Sequence, residues 1–100
     1  PLPAGLQEVF PAPGDSAVRP VVLEVDLDSG LKATIVVDGF AIPEQEVSFV
    51  EATGVHRWTP SPTSLVMTEW TPGDHTVRIT WDSLAGMPAP GEFEWTFRIQ

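Results

Sequence analysis

The chain has 100 residues, of which 42% are hydrophobic, enough for one globular domain and too many for a disordered tract. Its 14 acidic and 5 basic side chains give a net charge of −9, which repels nucleic acid and anionic membrane surfaces and suits cationic partners or divalent ions. It has no cysteine, so disulfides and zinc–thiolate sites are excluded, and no apolar run approaches the roughly 18 residues of a membrane span.

In chain order, residues 1–5 read as a leader or linker and residues 6–100 as a single domain. Leu6–Phe10 is a short first strand, ended by Pro-Ala-Pro-Gly at 11–14 because proline cannot donate to a ladder. Residues 18–28 alternate, with Val21, Leu23, Val25 and Leu27 on one face and Val22, Glu24, Asp26 and Asp28 on the other. Asp28-Ser29-Gly30 is a turn signal. Leu31–Val37 is the next strand, with Leu31, Ala33, Ile35 and Val37 on one face. Asp38-Gly39 then forms a hairpin turn needing positive φ, and residues 40–42 pair back until Pro43. Residues 46–51 alternate through Val47 and Phe49. Residues 55–59 precede Pro60-Ser61-Pro62, and 65–70 lead to the turn Pro72-Gly73-Asp74.

The final pair alternates most regularly. His75, Val77, Ile79 and Trp81 share one face, as do Phe93, Trp95, Phe97 and Ile99. Period two with a polar outer face denotes a half-buried strand. No window of ten residues has a helical period. About seven short strands broken by turns predict an all-β antiparallel sandwich, with a small barrel as the alternative.

Five stretches carry a family resemblance. They are Phe10-Pro11-Ala12-Pro13-Gly14 with Val18-Arg19-Pro20, then Trp58-Thr59-Pro60, then the hairpin Trp70-Thr71-Pro72-Gly73-Asp74-His75-Thr76-Val77. Asp82-Ser83-Leu84-Ala85-Gly86 and the closing Trp95-Thr96-Phe97 follow. In this order and spacing the chain resembles bacterial immunoglobulin-like domains of surface-layer and other exported proteins, with Met87 standing where the family often has Asn. The resemblance implies an immunoglobulin-like sandwich, an extracytoplasmic setting (secreted, periplasmic or cell-surface) and a structural or spacer role in a larger exported or membrane-anchored chain. A periplasmic copper-binding relative shares a similar sandwich. Its metal chemistry needs His or Met ligands at the exposed ends, and the sequence shows no such cluster.

The candidate sites follow from phase. Trp81 and Trp95 fall on inward rows. Trp58 shares the phase of His56, and Trp70 closes a segment just before a turn. If open, Trp58 and Trp70 form an aromatic patch on which a sugar or peptide stacks. With the loop residues Met87, Pro88, Ala89 and Pro90 they make up the candidate recognition surface. Asp26 and Asp28 lack the rest of a calcium loop and read as a solvated strand end. No nucleophile elbow, HExxH or phosphate cradle is present, so the chain reads as non-catalytic, without cofactor or metal. Two readings stand. One is a spacer module, monomeric as an isolated domain and contacting other proteins or neighbouring domains. The other is a protein-binding or, less favoured, glycan-binding module using exposed loops and the aromatic patch.

Overall fold

Period-two alternation resolves into nine strands in the computed structural model, which describes all residues from Pro1 to Gln100. They are β1 (Leu6–Phe10), β2 (Ser16–Ala17), β3 (Leu23–Leu27), β4 (Leu31–Val37), β5 (Phe40–Ala41), β6 (Ser48–Val50), β7 (Val55–Trp58), β8 (Gly73–Ser83) and β9 (Gly91–Ile99). One sheet has the order β1-β3-β7-β6 and the other β2-β9-β8-β4-β5. All pairings are antiparallel except β2 with β9. The fold is a two-sheet β-sandwich of immunoglobulin-like type.

The long β8–β9 ladder sets the inward rows. His75 faces Phe97, Val77 faces Trp95, Ile79 faces Phe93 and Trp81 faces Gly91. Val77, Ile79, Phe97 and Ile99 are almost wholly buried, as are Leu23, Val25 and Leu27 on the opposing sheet. Gly91 has a specific task here. A Cβ at that position would overlap the Trp81 indole, so its absence lets the ring lie across the ladder.

The departures from the sequence expectation have physical causes. Residues 18–22 do not extend β3. Pro20 has no N–H for a ladder, and these residues are the return path from the other sheet, where Ser16 and Ala17 pair with Arg98 and Ile99. Residues 65–70 form no strand. They loop over the sandwich end, tied down by Glu46, whose carboxylate accepts from Ser64 Oγ at 2.6 Å, Leu65 N–H at 2.8 Å and Trp58 Nε1 at 3.2 Å. Those donors hold the Glu46 carboxyl below the usual range, Ser64 foremost. Glu46 belongs to a 3-10 turn at Glu44–Glu46, so the following strand is confined to Ser48–Val50. The Asp38-Gly39 hairpin forms as expected, with φ of 51° and 85°. The leading residues pack too: Leu2 lies against the core, and the Gly5 carbonyl accepts Asp28 N–H at 2.9 Å.

Gly54 is the backbone position with least tolerance. It is buried at φ +74°, and a Cβ would run into the Leu27 carbonyl oxygen. Its own carbonyl accepts Leu27 N–H at 2.9 Å. Gly54→Ala should therefore lower the unfolding free energy by about 2–3 kcal/mol, through both strain and collision. Urea denaturation reads this directly; an unchanged midpoint would contradict the packing described.

Candidate functional site

The expected aromatic patch is not open. Trp58 is 2% exposed and Trp70 3%. Trp70 meets Trp58 edge-on at 5.6 Å and Phe97 edge-on at 5.4 Å, and its Nε1 donates to the Val21 carbonyl at 2.8 Å. Buried aromatic pairs of this geometry pack tightly when the indole N–H finds an acceptor. Both rings therefore belong to the core, and no ligand can stack on them without opening the sandwich end.

Met87, Pro88, Ala89 and Pro90 are exposed, Met87 at 86%. Their loop winds around Asp82, whose Oδ1 accepts Ser83 N–H at 2.7 Å and Ala89 N–H at 2.8 Å. These bonds, Ala89 first, hold the Asp82 carboxyl below its ordinary value. Ser83 Oγ donates to the Met87 carbonyl at 2.9 Å. Trp70 precedes β8 and this loop follows it. The strand's 11 residues span about 36 Å at 3.3 Å per residue, so the structure does not bring the two halves of the expected surface together.

A different constellation forms on the outer face of the four-stranded sheet. Because Leu23, Val25 and Leu27 point inward, Glu24 and Asp26 point outward together. β1 sets Glu8 opposite Asp26 and Phe10 opposite Glu24, after a register shift between Leu6 and Glu8. The carboxylate oxygens of Glu8, Glu24 and Asp26 lie within 4.8 Å of one another. Arg57 stands opposite Glu24 on β7 and donates from Nε to Glu24 Oε1 at 2.8 Å. Arg57 thereby lowers the Glu24 pKa. Asp26 makes no bond to a cation, and its Oδ1 is buried without a hydrogen-bond partner. Burial, then Glu24 and Glu8, push its carboxyl up to about 6, against a smaller opposing pull from Arg57. Sequence reading grouped Asp26 with Asp28 along one strand. The relevant partners were the alternate residue Glu24 and a side chain from the neighbouring strand, whose register only the fold fixes.

Exposed apolar side chains border these acids. Phe10 is 50% exposed, Val18 69% and Val22 44%. They line a groove of about 590 Å³ with Asp15, Glu24 and Arg57. A second groove, about 850 Å³, runs beside β4 between the 3-10 turn, Phe49 and residues 82–84. Its polar groups are largely satisfied internally. Lys32 pairs with Glu44, and the β4 edge is capped where Ala33 N–H donates to His56 Nε2 at 3.0 Å and Ile42 N–H donates to the Ile35 carbonyl at 2.8 Å. That capping also blunts the edge against strand addition.

Both histidines are structural. His56, 1% exposed, pairs its Nδ1 with the Gly54 carbonyl at 3.0 Å while Nε2 accepts from Ala33. Only the neutral Nδ1–H tautomer satisfies both bonds. His75 Nδ1 lies 2.6 Å from Asp38 Oδ2 and Nε2 lies 2.7 Å from the Thr71 carbonyl. Neither ring is free to act as a base or as an exposed soft-metal ligand. Copper, which the resemblance to a periplasmic copper-binding sandwich would imply, is not fitted by the residues present: the clustered donors are all carboxylates, which suit harder cations, whereas imidazole and thioether suit copper.

No family model matches the chain, and no curated protein matches it. Among solved structures, the fold is similar to the crystal structure of CopC from Methylosinus trichosporium OB3b, with a TM-score of 0.59 and 17% identity, covering 95% of this chain and 93% of that one. At this identity the likeness is one of fold.

Two pH effects of opposite sign follow. Burial lowers the His56 pKa from 6.5, so its neutral contacts contribute fully above pH 6.5 and are lost as pH falls through the folded value. His56→Phe should remove that acid-side loss, while costing about 1–2 kcal/mol at pH 7.5 by orphaning Ala33 N–H. Asp26 behaves oppositely, because its folded pKa is raised from 3.8 to about 6. Its protonated form stabilises the fold at low pH, and that contribution fades as pH rises toward 6. Asp26→Asn should match wild type near pH 4 and exceed it above pH 6 by about 1 kcal/mol, once solvent screening of a half-buried carboxyl is allowed for. Chemical denaturation across pH 4–8 checks both; an Asp26→Asn difference that does not grow with pH would contradict the acidic cluster.

Proposed function

We propose that the chain is a non-catalytic extracytoplasmic module, of the kind found in surface-layer and other exported proteins, and that it binds a protein partner rather than serving only as an inert spacer. The observation carrying this reading is the acidic cluster of Glu8, Glu24 and Asp26, with Asp26 Oδ1 buried and unpartnered. Holding like charges this close is destabilising unless a proton or a further cation neutralises them, and Arg57 already serves Glu24.

The domain has no spare cation of its own. Lys32 pairs with Glu44, Arg57 with Glu24, Arg78 with Glu92 and Arg98 with Asp74, and Arg19 donates to the Trp70 carbonyl at 3.0 Å. These are all five basic side chains, against 14 acids. The missing positive charge comes from outside, and the ammonium or guanidinium group of a partner supplies it with directed donors. The extracytoplasmic setting is supported by the sequence motifs and is compatible with the CopC-like fold.

The test is a titration of isotope-labelled domain with a hexapeptide of alternating lysine and serine, followed by amide shifts. Shifts should centre on Glu8, Glu24 and Asp26, and weaken as salt rises. The variant Glu8→Gln/Asp26→Asn, which keeps the Glu24–Arg57 pair, should bind about tenfold more weakly. Equal binding by variant and wild type would sink the proposal. So would shifts centred elsewhere.

A further inference from the structure

From the groove beside the acidic cluster, and resting on the binding reading above, we infer that the partner docks as a polypeptide segment that places an apolar side chain between Phe10, Val18 and Val22 and a basic side chain over Glu24, Asp26 and Glu8.

The groove arises where the chain leaves one sheet and returns to it. β1 ends at Phe10. The chain then crosses to the other sheet as β2, and it comes back through Val21 and Val22 into β3. Val21 turns inward and is 5% exposed; Val22, its neighbour, is thereby turned outward at 44%. Val18 sits on the crossing segment at 69% exposure, and Phe10 at the end of β1 at 50%. Three large apolar side chains from three segments thus line one concavity of about 590 Å³. That volume falls within the roughly 300–1,000 Å³ of ligand pockets, room for several side chains of a bound segment. Singly exposed apolar residues are ordinary on a protein surface; a concave cluster rimmed by charge is the arrangement of an interaction site.

Charge complementarity selects the occupant. Asp15 and Glu24 line the groove, and Glu8 and Asp26 continue the acidic rim along the same sheet face. The sole cation at the groove, Arg57, is already bonded to Glu24. An acidic partner is repelled, and a purely apolar one leaves the carboxylates facing nothing. A segment with basic and apolar residues in alternation meets both features. The groove beside β4 is larger but has no such acidic rim free to meet a cation: Glu44 pairs with Lys32, and Asp82 accepts the Ser83 and Ala89 amides.

The experiment uses three acetylated, amidated hexapeptides: alternating lysine–leucine, alternating lysine–serine and alternating glutamate–leucine. The lysine–leucine probe should shift the amides of Phe10, Val18, Val22, Glu24 and Arg57, and bind at least tenfold tighter than lysine–serine; glutamate–leucine should not bind. Val18→Lys/Val22→Lys changes only exposed side chains. Its melting temperature should match wild type, and its affinity for lysine–leucine should fall to or below the lysine–serine level. If leucine adds nothing over serine while both map to the acids, the groove inference is overturned and the acidic-face reading stands. If neither lysine peptide binds, both fall. Lysine–leucine shifts confined to the β4 groove overturn the inference. So does equal binding of glutamate–leucine. Concentration-dependent self-association through Val18 and Val22 without peptide assigns the groove to a second copy, which also overturns it.

Discussion

Burial of the inward rows of β3 and of the β8–β9 ladder against each other is what joins the two sheets. The chain has no cysteine, so no covalent bridge crosses the sandwich. Val25, Leu27, Val77, Ile79 and Ile99 are fully buried at that interface, and each such side chain contributes roughly 1.5–3 kcal/mol by leaving water. Few polar contacts span the sheets. The clearest is Ala33 N–H on β4 donating to His56 on β7, which lets a buried imidazole cap an otherwise open strand edge. The indole bonds reach loops and turns: Trp95 donates to the Pro11 carbonyl, Trp70 to the Val21 carbonyl and Trp58 to Glu46. They close the sandwich ends and leave the sheet interface apolar.

The same alternation that buries one face dictates what the other presents. Sending Leu23, Val25 and Leu27 inward fixes Glu24 and Asp26 outward on one side of β3. The register with β1 then adds Glu8. Strand geometry requires that the three positions face solvent; it does not require acids there. Threonine or serine would satisfy the same geometry without like-charge repulsion. The raised Asp26 carboxyl is the energetic trace of that choice, and residues kept at a cost to stability are where binding function concentrates.

Most of the architecture was legible because long alternating segments are unambiguous. The inward rows of the last two strands, the Asp38-Gly39 hairpin and the strands Leu6–Phe10 and Leu31–Val37 all follow from period two and turn chemistry. Short-range pattern failed where a single distant contact decides the local structure. Glu46 draws Ser64, Leu65 and Trp58 together, turning residues 65–70 into a loop whose sequence alternates no differently from a strand. Ser16 and Ala17 join a sheet through two residues only, too few for periodicity to register. The candidate site was the least legible part. Trp58 and Trp70 drew attention by residue type, yet their burial depends on each other and on Phe97. The acidic cluster assembles across strands, and one sequence carries no register.

Relocating the aromatics to the interior changes which forces remain for recognition. A stacking surface would have been largely indifferent to salt and selective for flat faces or sugar rings. What the surface offers instead is uncompensated negative charge beside a small apolar concavity. Exposed charge alone steers encounter and is screened within about a Debye length. Apolar contact alone is unselective. Their adjacency at Glu24, which both lines the groove and belongs to the acidic cluster, couples the two. In the proposed complex, a partner's cation at Glu24 and Asp26 would hold the neighbouring side chain near Phe10, Val18 and Val22, and burial of that side chain would strengthen the charge contact by excluding water from it. In the proposed reading the spacer role and the binding role cease to compete. The apolar interface between the sheets supplies a rigid support, and the outward rows that it forces into the open supply the contact.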